Sequence, residues 1–207
     1  MASAKTLGIV LFDGFELLDV FGPAEAYASR ETEGAFTLLM VAQERGAVAS
    51  AQGPKALAEF SFADCPRLDI MLAPGGIGTR REVENPALLS WLRVRASEAE
   101  TVTSVCTGAA LLARAGVLDG HRATTNKRSF DWVVSQGPKV NWVAAARWVE
   151  DGKFATSSGV SAGIDMALAI IARQCGAETA EKVAIAMEYE WHRDPSWDPF
   201  AKIWQRV

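Results

Sequence analysis

The chain has 207 residues, with 21 Lys and Arg against 25 Asp and Glu, a formal net charge of −4. That balance argues against a nucleic-acid partner, which calls for a basic excess or stripe, and 49% hydrophobic residues are too many for a disordered protein. No apolar run approaches the ~20 residues that cross a bilayer, so no membrane partner is expected. Residues 1–6 lead into a strand-like run without the apolar core and cleavage site of a signal peptide. Cys65, Cys106 and Cys175 stand at unrelated spacings that suit neither a disulfide framework nor a zinc site. A cytoplasmic protein is expected, one domain over residues 1–207. With only His121 and His192, chemistry built on several histidines is nearly excluded.

Residues 6–12 (TLGIVLF) form an apolar run without helical period and read as a buried parallel strand. Residues 16–30 are helical in pattern. Gly22-Pro23 predicts a break into two pieces, because proline removes a backbone donor and clashes with the preceding turn. Residues 35–42 give a second strand, 47–60 short edge strands, and 69–73 a buried strand ending at Pro74-Gly75-Gly76-Ile77-Gly78. A helix over 84–97 carries Leu88, Leu89, Leu92 and Val94 on its apolar face. Residues 101–105 are strand-like, and 107–115 form a small-residue helix ending at Gly116. A later strand closes at 156–158 after a turn at Asp151-Gly152. Helices over 163–174 and 179–189 follow. This alternation predicts an α/β sandwich with a mostly parallel central sheet and helices on both faces. From about residue 191 the chain is rich in Trp and Pro, and is expected to pack on its own core or a second subunit. A pocket wall is the alternative.

The strongest chemical signal is Val105-Cys106-Thr107-Gly108. A strand ends at Cys106 and a helix begins at once, the layout that lifts a nucleophile off the end of a parallel sheet. Backbone N–H groups at the helix start are expected to lower the thiol pKa, making Cys106 the most reactive of the three thiols. A buried structural cysteine is the competing reading, and Cys65 and Cys175 are read that way. Free N–H groups of the Gly75-Gly76-Ile77-Gly78 loop, with that of Thr107, are expected to form an oxyanion hole. Glu16 and Asp19, spaced i, i+3, offer an acid. A carboxyl beside a thiolate has a raised pKa and can act as a proton donor, although such acids also simply favour a helix start.

Together, Leu18-Asp19-Val20-Phe21-Gly22-Pro23, Ala73-Pro74-Gly75-Gly76-Ile77-Gly78, Ser104-Val105-Cys106-Thr107-Gly108, Arg122-Ala123-Thr124-Thr125 and Ser158-Gly159-Val160-Ser161 carry a family pattern. The chain resembles the ThiJ/PfpI superfamily, with its class I glutamine amidotransferase-like, flavodoxin-like fold, and within it the isonitrile (isocyanide) hydratase branch. The resemblance covers roughly residues 7–189. It implies Cys106 as nucleophile, Asp19 rather than Glu16 as its acid, and Thr107 as a catalytic partner. It further implies oxyanion or substrate contacts at Gly75, Gly76, Ile77, Asn126, Gly159 and Val160, a small-molecule substrate, no metal or organic cofactor, and a homodimer. The reaction implied is hydration of an isocyanide to an N-substituted formamide. One departure stands out. Relatives place His-Trp after the Ala-Thr-Thr run, where this chain has Asn126-Lys127. Neutral Asn126 can hydrogen-bond but cannot serve as a base, which removes a Cys–His dyad.

Two other classes compete. One is a glyoxalase-type, cysteine-dependent activity, whose carriers more often use Glu as the acid. The other is a non-enzymatic small-molecule sensor or stress protein. The 18 residues beyond Tyr189 are too few for a DNA-binding domain, so a sensor would be expected to act as a binding module alone.

Overall fold

The computed structural model describes residues 4–206. The expectation that no leader precedes the first strand rests partly on residues 1–3, outside the described residues. In chain order, β1 (Lys5–Val10) leads to α1 (Leu17–Tyr27), a 3-10 turn at Arg30–Thr32, β2 (Phe36–Ala42), β3 (Gly46–Ala49), β4 (Lys55–Ala58) and β5 (Phe60–Ser61). Then come β6 (Ile70–Ala73), α2 (Thr79–Glu82), α3 (Pro86–Glu98), β7 (Thr101–Ser104), α4 (Gly108–Arg114), β8 (Arg122–Ala123), α5 (Phe130–Gln136) and β9 (Asn141–Trp142). β10 (Trp148–Asp151), β11 (Phe154–Ser157), α6 (Ala162–Cys175), α7 (Ala177–Ala186) and α8 (Pro199–Ile203) complete the order.

Seven strands form the main sheet in the order β10-β11-β7-β6-β1-β2-β5. All neighbours are parallel except β10, which runs antiparallel to β11. Every residue of β6, β7 and β11 is buried, so helices cover both faces there, as parallel sheets require. This is the α/β architecture expected from the alternating elements. The carboxyl ends of β1, β6, β7 and β11 lie along one edge of the sheet, where open α/β folds build their sites.

Three local expectations are corrected. α1 is unbroken, with Pro23 inside it. A Cβ on Gly22 would come within 2.9 Å of Ile164, and Pro23 packs against Gly163 of α6. Burying Val20, Pro23, Ala24, Ala26 and Tyr27 offsets a proline penalty of about 3 kcal/mol, since each large apolar side chain contributes roughly 1.5–3 kcal/mol. The β10–β11 turn is centred on Gly152-Lys153, one residue later than expected, because Asp151 pairs with Phe154 and the positive φ of 62° falls on Gly152. Of the segment over 47–60, β3 and β4 form a separate antiparallel pair, and β5 alone edges the main sheet.

Candidate active site

Cys106 lies just beyond β7 and begins the turn into α4, with a backbone φ of 56°. A side chain in this left-handed region costs roughly 1–2 kcal/mol. The turn is held from two sides. The Cys106 N–H donates to the Ser158 carbonyl at 3.3 Å, and the Thr125 hydroxyl donates to the Cys106 carbonyl at 2.7 Å. Gly159 backs the thiol so closely that a Cβ there would sit 2.8 Å from Sγ and 2.4 Å from the Asn126 amide nitrogen.

Asp19, in the first turn of α1, is fully buried. Its Oδ2 accepts from the Gly75 N–H at 2.8 Å, and Oδ1 has no partner among the described residues. Burial holds this carboxyl well above the usual carboxylate range. The Gly75 N–H opposes that shift, the Glu16 charge adds to it, and a hydrogen bond with the Cys106 thiol opposes it. Burial also pushes the Cys106 thiol up, reinforced by the Asp19 carboxylate, while the Thr107 N–H and hydroxyl pull it down. The expected lowering by the helix start is therefore overturned. α4 supplies the Thr107 N–H, but desolvation outweighs it.

The expectation of free N–H groups in the glycine loop also needs correction. The Gly75 N–H is taken by Asp19, the Gly76 N–H by the Thr107 hydroxyl at 3.0 Å, and the Gly78 N–H by the Gly14 carbonyl at 3.0 Å. The loop is tied into the site, leaving the Ile77 N–H without a partner among the described residues. Glu16 caps α1. Its N–H donates to the Gly75 carbonyl at 2.9 Å, and its Oε1 accepts from Gln52 at 2.6 Å.

Glu16, Gly76, Ile77, Arg80, Cys106, Thr107, Asn126, Arg128, Ser129 and Val160 line a cavity of about 400 Å³. Of the residues singled out in the sequence, Asp19, Gly75 and Gly159 stand behind this wall rather than on it. Asn126 accepts from the Ser129 N–H at 2.9 Å through Oδ1. A second cavity of about 370 Å³ shares Asn126, Arg128 and Val160 and is walled by Leu18, Phe200 and Trp204. The aromatic tail thus walls a cavity next to the one at Cys106 and contributes none of the residues that line the latter. Arg80 and Arg128 were not singled out in the sequence, because surface arginines give no signal there. The Gly-Gly-Ile-Gly loop two residues before Arg80 was the only hint.

Lys127 is buried, against the pattern for lysine. Its Nζ donates to the Ala146 carbonyl at 2.5 Å and the Thr124 hydroxyl at 2.8 Å. Burial depresses it to about 8, with Asp198 opposing and Arg147 reinforcing that shift. Arg147 pairs with Asp165 at 2.6 Å and stands 3.9 Å from Asp198. Asp198 caps α8 by accepting from the Phe200 N–H at 2.9 Å, and Arg206 donates to the Lys127 carbonyl at 3.1 Å. The tail is therefore latched to the segment that carries Asn126. His121 is half-buried and contacts Asp151 at 3.2 Å. All three cysteines are free. Among the described residues, no cluster of three or more His, Cys, Asp or Glu could hold a metal ion, and no helix is long and apolar enough to cross a membrane.

Residues 5–173 match the DJ-1/PfpI family. The chain is 35% identical over 186 residues to the isonitrile hydratase of Pseudomonas putida, covering 90% of this chain and 79% of that protein. It is 26% identical over 192 residues to the HTH-type transcriptional regulator GbdR of Pseudomonas aeruginosa, of whose length it spans 51%. A crystal structure of a ThiJ/PfpI family protein from Pseudomonas syringae superposes with a TM-score of 0.83 at 28% identity, over 91% of this chain and 76% of that one.

Proposed function

The chain belongs to the DJ-1/PfpI family, and from that premise we propose that it hydrates a small isocyanide to the N-substituted formamide through Cys106. The reading is carried by a buried carboxyl with a partnerless Oδ1, Asp19, set beside a thiol on a left-handed strand-to-helix turn, the two groups acting on each other's protonation. Both groups are pushed up by burial, so the pair retains a proton far above the ordinary carboxyl range and titrates as a unit. In the reactive state the proton sits on Asp19 and the negative charge on sulfur, facing the Thr107 N–H.

The thiolate attacks the terminal isocyanide carbon, and Asp19 protonates that carbon to give a thioimidate. Water adds to the same carbon, the C–S bond breaks, and the thiolate leaves with the formamide free. Of the two water protons, one goes to the nitrogen and the other to the Asp19 carboxylate, which restores the acid. The second reading, a ligand-binding module without turnover, draws on the likeness to the GbdR regulator. Incubation with an aryl isocyanide, followed by NMR, separates the two. Formamide is expected from the native chain and not from Cys106→Ala. Saturable isocyanide binding without formamide above the uncatalysed rate would establish the binding reading instead.

A further inference from the structure

Two guanidinium groups face the Cys106 cavity without a carboxylate partner. Neither Arg80 nor Arg128 belongs to any ion pair among the described residues. Arg80 is the second residue of α2, two residues after the glycine loop, and is held rigidly. Its guanidinium carbon stacks 3.5 Å from the centre of the Trp132 ring, and its Nη atoms donate to the Thr79 hydroxyl at 3.3 Å and the Ser129 hydroxyl at 3.1 Å. Those bonds use two of the five donors a guanidinium carries. Arg128 is exposed at the mouth, with its guanidinium carbon 5.8 Å from the Trp204 ring centre.

The opposing charge on the cavity wall is a single carboxylate, Glu16, already occupied by the Gln52 amide. Arg80 and Cys106 line the same cavity, and burial lowers the pKa of the guanidinium while the Cys106 thiolate opposes that shift. A pre-oriented arginine with spare donors beside a nucleophile suits planar, two-oxygen recognition of a carboxylate. Such a local excess of positive charge is unexpected on a chain of net charge −4.

We propose that Arg80 and Arg128 form an anion-recognition subsite, so that the substrate presented to Cys106 carries a carboxylate on the group attached to its reacting centre. Arg80 anchors the anion and Arg128 closes over it from the rim. As a statement about the substrate this rests on the isocyanide reading, in which the preferred compound is a small isocyano carboxylate. The charge selectivity of the cavity itself does not depend on that chemistry.

The test therefore has two arms. In the first, Cys106 is alkylated at low ionic strength with iodoacetate or with its neutral isostere iodoacetamide. The ratio of the two rates is measured by peptide mass mapping against a free neutral thiol. The native chain is expected to favour iodoacetate by about tenfold over the reference, the size of one charge-assisted hydrogen bond. Salt should erode that preference. Arg80→Gln should abolish it and Arg128→Gln should reduce it; because each variant's own iodoacetamide rate is the denominator, any change in thiol reactivity cancels from the ratio. A native ratio equal to the reference overturns the proposal, as does a raised ratio that survives both substitutions. In the second arm an isocyano carboxylate and its methyl ester are compared as substrates, with kcat/KM expected to favour the free acid by a similar factor. Hydration of neither compound defeats the isocyanide reading, while the alkylation ratio still decides the anion subsite. Equal turnover of acid and ester overturns the substrate class.

Discussion

The backbone N–H of Gly75 donates a 2.8 Å hydrogen bond to Oδ2 of Asp19, joining residues 56 apart in sequence at the floor of the site. This bond leaves Oδ1 as the carboxyl oxygen that can carry a proton. It also makes the glycine loop a structural brace for the acid rather than an open row of donors.

Asp19→Asn is expected to lower turnover by about 10²–10⁴-fold, the range for loss of a positioned proton donor. Stability should move the other way. The folded chain keeps the Asp19 proton above 3.8, the ordinary carboxyl value, where the unfolded chain has lost it. The stability associated with Asp19 is therefore full below that value and falls as pH rises through the folded value. Asparagine escapes this fall, so thermal melting at pH 7 should give a Tm at or above that of the native chain. It also removes the carboxylate that raises the thiol, so the pH profile for alkylation of Cys106 should shift downward. A lower Tm at pH 7 would count against a protonated Asp19, and an unmoved alkylation profile would count against its charge acting on the thiol.

Gly75→Ala tests the brace. A Cβ there would meet the Thr107 nitrogen at 2.5 Å and the Thr107 hydroxyl at 2.7 Å. Because the first contact is backbone, the turn bearing Cys106 must move. Displacements of about 1 Å at a reacting centre cost on the order of 10²-fold. Steady-state kinetics should show the loss mainly in kcat, with the circular dichroism spectrum retained.

How much of this was legible in the sequence depends on the range of each signal. The β7–Cys106–α4 turn was readable because the cause is local: an apolar run, a cysteine and a glycine in immediate succession. The continuity of α1 was not, since it depends on Gly22 and Pro23 meeting α6 some 140 residues later. α2, β8 and β9, two to four residues each, are too short to show any period. The Asp19–Gly75 bond and the pairing of Arg80 with Trp132 join distant segments, and no residue spacing announces them.

Lys127→Met should destabilise the chain by about 3 kcal/mol at pH 7. It leaves the Ala146 carbonyl and Thr124 hydroxyl without their buried donor. The folded lysine releases its proton near 8 and the unfolded one near 10.5, so native stability from this residue rises with pH across that window. Denaturant titrations at pH 7 and pH 9.5 should therefore show a larger deficit for Lys127→Met at the higher pH.

A homodimer through the α1 face is expected. Leu18 and Phe21 are 43% and 44% exposed on α1, and Phe200, Ile203 and Trp204 add apolar surface from the tail. A two-fold contact would use the same patch on both chains. Light scattering at micromolar concentration should report about twice the 22.2 kDa chain mass, and Phe21→Glu should reduce it to one chain. A monomer with full turnover would exclude a shared pocket.

Lys127, Arg147, Asp165 and Asp198 are all buried, and their formal charges cancel. Removing any one leaves an uncompensated charge out of water, at a cost of roughly 3–5 kcal/mol, comparable to the whole margin of a small domain. The Lys127 that follows Asn126 is tied to Thr124 and Ala146 through its side chain and to Arg206 of the tail through its carbonyl, so placing a histidine at position 126 is not a local edit. It would arrive in a corner whose charge balance was set by the tail.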